Sequence, residues 1–341
     1  MSYQSVETPD ASDFAGLAGP GGRLRVTPGR VAVLTLGVPI VLALIGWLGF
    51  TAVALLDIQS FPVNETIPVV GGKVTAQIEG SLTVRQDNVS AAQLTGTATY
   101  SLFRPALTVR PADQNPAGTG ALVAYRCDFG VGDCSLDGTL TLPATAAAVL
   151  HTGGGDVTMA NYTGDLTLDT DGGNVNVGGT LTGTDVQMST AGGDVTMGNY
   201  SGDLTLDTGG GNVNVGGTLT GTDVQMSTVG GDVTVNTLDG PVNLTTGGGN
   251  INIGAVTPPE SGTEVVGSAG GDVTIVFTKP PSNLQIDSGG GNVRLILPAA
   301  GQYAYNVTTD GGNQNIPRQA ASPKDFITVN SGGGDVTVSY S

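Results

Sequence analysis

The sequence predicts an all-β protein: a glycine-rich parallel β-solenoid, preceded by a β-rich cap region and one N-terminal transmembrane helix. Three observations predict it. Glycine accounts for 56 of the 341 residues. From Gly153 onward an acid or amide follows a glycine pair at nearly constant spacing, and near the N-terminus one 26-residue stretch carries no charge.

Residues 1–30 are polar, rich in Ser, Gly, Pro and Asp, and without periodicity, which predicts a disordered tail. Residues 31–56, VAVLTLGVPIVLALIGWLGFTAVALL, exceed the roughly 20 apolar residues needed to cross a bilayer. Arg23, Arg25 and Arg30 precede the stretch and Asp57 follows it, so the positive-inside rule puts the N-terminus in the cytoplasm and the C-terminal domain outside, as a single-pass cell-membrane protein. A cleaved signal peptide is the competing reading, since Ala52-Val53-Ala54 has the small-x-small form, but the apolar region is longer than such segments usually are.

Residues 57–150 alternate apolar and polar residues in short bursts such as KVTAQIEG and ALVAYRC, broken by turn residues. This predicts an antiparallel or mixed β region that caps the first solenoid turn. Its Cys127 and Cys134, the chain's two cysteines, stand in the polar stretch CDFGVGDC, which suits a small disulfide loop in an oxidising compartment better than a metal site.

Residues 151–341 form the repeat. Its markers are Asp156, Asn174, Asp194, Asn212, Asp232, Asn250, Asp272, Asn292, Asn313 and Asp335, spaced 18 to 22 residues apart. Asp156–Gly193 and Asp194–Gly231 are 38-residue blocks that differ at four positions (Ala160/Gly198, Thr163/Ser201, Asp171/Gly209, Ala191/Val229). A period of this size signals a solenoid whose units bury apolar surface by stacking. Apolar residues alternate with period two, at Val157 and Met159 and again at Leu166 and Leu168, which predicts two short strands per turn. Inward columns then run from Val157 and Met159 to Val336 and Val338, and ten turns at 4.8 Å give a rod on the order of 48 Å. Gln314 and Pro317 interrupt the pattern, a sign of a decayed or bulged turn. The glycine runs are expected where the chain reverses at positive φ; a phosphate-binding role does not fit, because Gly-Gly-Gly-Asp opens a strand and no P-loop lysine follows.

The alternation of Asp and Asn through the first eight markers separates carboxylates by two turns and interposes amides that bridge them. A second column, Asp165, Asp185, Asp203 and Asp223, stacks acids on consecutive turns. Such a column is the arrangement that collects hard cations such as calcium, although the tandem nine-residue calcium repeat is absent and solvated surface acids are the simpler reading. Tyr162 and Tyr200 hold equivalent places in ANYTG and GNYSG, where they either stack on a sugar or peptide or pack the turn. Asn161 and Asn199 head the sequons Asn-Tyr-Thr and Asn-Tyr-Ser.

The net charge of −17 belongs to the part beyond residue 56, because Glu7, Asp10 and Asp13 balance the three arginines before the span. With only Lys73, Lys279 and Lys324 as lysines, that part lacks the basic patch nucleic acid needs. A glycosidase or lyase would want aromatic platforms or basic residues beside paired acids, and the repeat is poor in both. His151, the single histidine, would have to serve any Ser-His-Asp or Cys-His site and lies at the solenoid entrance. No enzyme activity, cofactor or catalytic residue is predicted.

HTGGGDVTM, STAGGDVTM, STVGGDVTV, GSAGGDVTI and NSGGGDVTV, set behind one membrane span, resemble the DUF4097 family of adhesin-like surface proteins. The likeness is greatest to its actinobacterial type, with a short tail, an RVTPGRVAVL-like anchor and a cysteine pair. The resemblance implies an envelope-exposed β-solenoid and carries no catalytic residues. An LPxTG-like sorting signal is absent from the closing GGGDVTVSYS, which departs from wall-anchored adhesins. The expectation is a non-catalytic surface binding module whose partner on a surface or in the envelope the sequence does not identify. An envelope-stress sensor or signalling accessory, with the span relaying to the tail, is the alternative.

Overall fold

Val157, Thr158 and Met159 form a strand with both apolar side chains inside and the threonine outside, and this pattern is stacked in parallel along the rod. In this computed structural model the described residues are 58–69, 71–101, 104–111, 120–127 and 134–341, with Ile40, Ala43 and Leu44. Those three are helical; the remainder of the expected span 31–56 and the tail 1–30 lie outside the described residues. Among the described residues no helix is long and apolar enough to cross a membrane.

The β body is an all-β parallel solenoid belonging to the unit Ala54–Ser341. Each turn has three sides, not the two strands that period-two counting predicts. Side one is represented by Val157–Met159, side two by Tyr162–Thr163 and side three by Leu166–Thr170. In Val175–Thr190 the three run as one strand, with register breaks after Val177 and Thr182 where the chain bends round the corners. Side two was hidden because it offers one inward residue per turn: Tyr162, Leu181, Tyr200, Leu219, Leu238, Val256 and Phe277 stack in register. All seven are buried, as are the two side-one columns.

Neighbouring turns are joined by regular bonds. Val157 N–H donates to Asn174 O, Val175 N–H to Asp194 O and Val195 N–H to Asn212 O, each at 2.8 Å. The last glycine of each run is selected by this close stacking. A β-carbon on Gly193 would overlap the Gly173 carbonyl, and one on Gly211 the Gly193 carbonyl, while neither glycine has positive φ. The expectation of positive φ thus fails in those two runs, while it holds in the first run at Gly154 (144°) and at the corner between sides two and three, at Gly164 (129°) and Gly202 (135°).

At both ends spatial order departs from chain order. Lys73–Ile78 lies parallel between Ala121–Arg126 and Ala147–Thr152, and Leu82–Asp87 between Cys134–Pro143 and Val157–Met159. Antiparallel strands Ile58–Ile67, Ala92–Ser101 and Ala106–Arg110 cover that end. At the other end the C-terminal strands Asp325–Ser331 and Val336–Tyr340 are inserted between the preceding turn and the segment 303–315. Gln314 therefore does not interrupt the Val293–Val336 column as a decayed turn would; it sits beyond Val336, exposed, as the last layer.

Side-chain amides close the free strand edges at the two ends. Gln86 Nε2 donates to Thr163 O and Gln86 Oε1 accepts from Thr163 N–H, both at 2.7 Å. At the far end Gln319 and Gln314 donate to the carbonyls of Tyr305 (2.8 Å) and Val307 (3.2 Å). Such bonds occupy groups that would otherwise recruit another strand.

Candidate functional site

The outer face of side one is a polar lattice whose every marker is fixed by its neighbours. Asp156 Oδ1 accepts from the Asn174 backbone N–H (2.8 Å) and from Asn174 Nδ2 (3.2 Å), and Asn174 Oδ1 accepts from Asp194 N–H (2.9 Å). The same unit recurs from Asp194 through Asn212, from Asp232 through Asn250 and from Asp272 through Asn292. One carboxylate oxygen of each aspartate takes these bonds, and the amides hold successive carboxylates two turns apart. Beside this ladder stand exposed Thr158, Asn176, Thr196, Asn214, Thr234 and Asn252.

Side three carries the acid column, and its members fall into two kinds. Asp165 Oδ1 accepts from Thr184 Oγ1 (2.6 Å), and Asp203 Oδ1 from Thr222 Oγ1 (2.7 Å), each on the next turn. Those hydroxyl bonds are the main cause that holds both carboxyls below the usual carboxylate range. Asp185 and Asp223 instead accept from Gln187 Nε2 (3.2 Å) and Gln225 Nε2 (3.0 Å) on their own turns. Each acid of the column thus has a neutral donor, and among the described residues no group of three or more His, Cys, Asp or Glu side chains is placed to hold a metal ion.

Tyr162 and Tyr200 are not surface platforms. Both rings are buried in the side-two column; Tyr162 Oη donates to Ala146 O at 2.7 Å and Tyr200 Oη to Asp203 O. Burial pushes both phenols upward. A ring that fills the core cannot stack on a ligand, so of the two roles open to this pair the structure has packing. Asn161 and Asn199, beside them, accept the backbone N–H of Thr180 (2.8 Å) and Thr218 (2.9 Å) and pin the corner.

Cys127 and Cys134 form a disulfide. His151 Nδ1 lies 3.2 Å from Asp169 Oδ2, on adjacent turns of side three. One column escaped sequence reasoning: Thr152, Thr170, Thr190, Thr208, Thr228, Thr246, Ser268, Ser288 and Ser331 are all buried. Thr190 and Thr208 each donate to the glycine carbonyl three residues on, at 2.7 Å. Its signal was available, because a Thr or Ser stands three residues before the last glycine of nearly every run.

A family model described as Toastrack DUF4097 matches residues 139–339. A search of curated proteins found no match. Among solved structures, a "putative adhesin" from Parabacteroides distasonis has 14% identity over 82% of this chain and 97% of its own, with a TM-score of 0.43. A "putative adhesin" from Bacteroides fragilis has 15% identity over the same shares, with a TM-score of 0.31. A "putative lipid binding protein" from Parabacteroides distasonis has 9% identity over 82% and 96%, with a TM-score of 0.37.

Proposed function

The chain belongs to the Toastrack DUF4097 family, and from that premise we propose that it is a membrane-anchored, non-catalytic surface binding module of the adhesin kind. Residues 31–56 would hold it in the cell membrane with the solenoid outside. The observation that carries the reading is the side-one lattice: polar groups at fixed, repeating positions on a rigid stack, with one carboxylate oxygen of each aspartate held in place. A surface whose groups are already ordered loses little entropy on binding, which favours an extended, hydrogen-bonding partner. Asp165, Asp203 and His151 are engaged in structural bonds, which supports the non-catalytic reading.

Crosslinking on intact cells, followed by identification of what co-purifies with the full-length protein, tests this. Recovery of foreign-surface or neighbouring-cell components is the expected result. Recovery of the cell's own membrane regulators instead would overturn it in favour of an envelope-stress sensor.

A further inference from the structure

Three strands of side three converge near the cap on a concavity of about 500 Å³. Lys73–Ile78 and the residue after it contribute Gln77, Ile78 and Glu79; Ala121–Arg126 contributes Tyr125 and Arg126; Ala147–Thr152 contributes His151. Apart from His151, these residues precede the span matched by the family model. The solenoid face is strongly acidic, and from Cys127 to Thr278 the chain has no lysine or arginine. Arg126 is thus the last cation before the acidic rod.

The two opposite charges at this concavity are held apart. The Arg126 guanidinium is oriented by Nη2 donating to Gln77 Oε1, and it forms no ion pair with Glu79. The Glu79 carboxylate rests against Gly153, where a β-carbon would overlap it, so the glycine provides its seat. Asp169 takes His151 Nδ1, leaving Nε2 as the ring's other polar atom. Ile78 and Tyr125 lie beneath the concavity with their side chains buried in the solenoid core, so the surface open to a ligand is mainly polar.

A cation and an anion that face one cavity without meeting fit a ligand carrying the opposite pair of charges. We propose that this is a binding site for a zwitterionic α-amino acid: the ligand carboxylate on Arg126 and its ammonium on Glu79. Charge-assisted bonds to a planar guanidinium favour a carboxylate over other acceptors. The site is independent of the side-one lattice, so the fate of one reading does not decide the other.

The test is calorimetric titration of the full chain in detergent with alanine, N-acetylalanine and alaninamide. Saturable binding of alanine at millimolar concentration is expected, with each blocked analogue weaker by about 10- to 100-fold, the loss of one charge-assisted contact. Arg126→Gln should weaken alanine and leave alaninamide unchanged, while Glu79→Gln should weaken alanine and leave N-acetylalanine unchanged. No saturable binding of alanine, or equal binding of the three probes, would overturn the proposal. The three probes on the unmodified protein decide it even where a variant fails to fold.

Discussion

Asp335 lies directly on Asn292: its backbone N–H donates to Asn292 Oδ1 at 2.9 Å although 43 residues separate them. Asn313, which comes between them in the chain, lies on the far side and donates to Asp335 Oδ1 at 2.7 Å. In chain order the markers would read Asn, Asn, Asp; in space they read Asn, Asp, Asn, and the alternation of the rod is preserved to its end. The gain is greatest in the core, because chain order would place the Gln314 amide between Val293 and Val336.

This order makes a sharp prediction about two residues at equivalent positions. Gln314→Val, on the exposed last layer, is expected to change stability by no more than about 0.5 kcal/mol. Val336→Gln, in the buried column, is expected to cost about 3 kcal/mol or more, as an apolar contact is lost and an amide is buried without a partner. Thermal and denaturant unfolding of the two variants measure this. A clear stabilisation by Gln314→Val would mean that residue 314 is in the core and that the turns stack in chain order.

The Asp/Asn alternation is an electrostatic arrangement that one substitution can reverse. Asn212→Asp would put acids at 194, 212 and 232 on three successive turns and remove the Nδ2 bond to Asp194. The expected cost is about 1 kcal/mol per neighbour at low ionic strength, falling as salt screens it. Melting temperature as a function of sodium chloride concentration tests it, with the gap between variant and parent closing as salt rises. A gap indifferent to salt would assign the loss to the missing amide donor alone.

What the sequence revealed and what it hid divide along physical lines. The side-one columns were legible because Val157 and Met159 alternate with an outward threonine in a pattern the later turns repeat, and the ladder because its charge alternates in step. Side two was not, since one inward residue per turn has no periodicity and a tyrosine among glycines resembles an exposed aromatic. Runs such as those ending at Gly193 and Gly211 misled because positive φ and close backbone approach both demand the same residue. End-of-rod order depends on which strand finds which edge, which local patterning does not encode; Gln314 in an apolar register and the Asn292–Asn313 break were its traces. Of the expected site residues, the acid column lies on the surface as expected, but donors on neighbouring residues become visible only once the turns are stacked.

Tyr200 supplies a test of the packing role. Tyr200→Phe keeps the ring and loses the bond to Asp203 O, so about 1 kcal/mol is expected. Tyr200→Ala opens a cavity between Leu181 and Leu219 and should cost about 3 to 5 kcal/mol. Unfolding measurements separate these; an alanine variant as stable as the parent would return the ring to the surface.

Among the described residues Glu264 is the one acid buried inside the stack. It pairs in register with Leu284 and is buried, and its Oε2 accepts the Val242 N–H. In the regular turn Leu204 N–H donates to the next turn's Asp223 carbonyl at 2.9 Å; after Pro241 the equivalent donor is Val242, and the carboxylate replaces the carbonyl. Burial, the larger effect, raises the carboxyl's pKa, and the bond from Val242 lowers it in part. The folded state therefore holds this proton to higher pH than the unfolded chain does. Below the ordinary glutamate value of about 4.3 both states are protonated and there is no penalty; as pH rises above it, the unfolded chain ionises first and stability falls until the folded group ionises as well. Glu264→Gln keeps an acceptor for Val242 without a charge, so it should be at least as stable as the parent at neutral pH and lose this dependence. Glu264→Leu leaves the Val242 N–H unpaired and should cost about 1 to 3 kcal/mol relative to Glu264→Gln at every pH. Melting curves of the parent and both variants from acid to neutral pH decide the matter. A parent whose stability rises through that window relative to Glu264→Gln would show that the carboxylate is favoured inside the stack, against the sign argued from its burial.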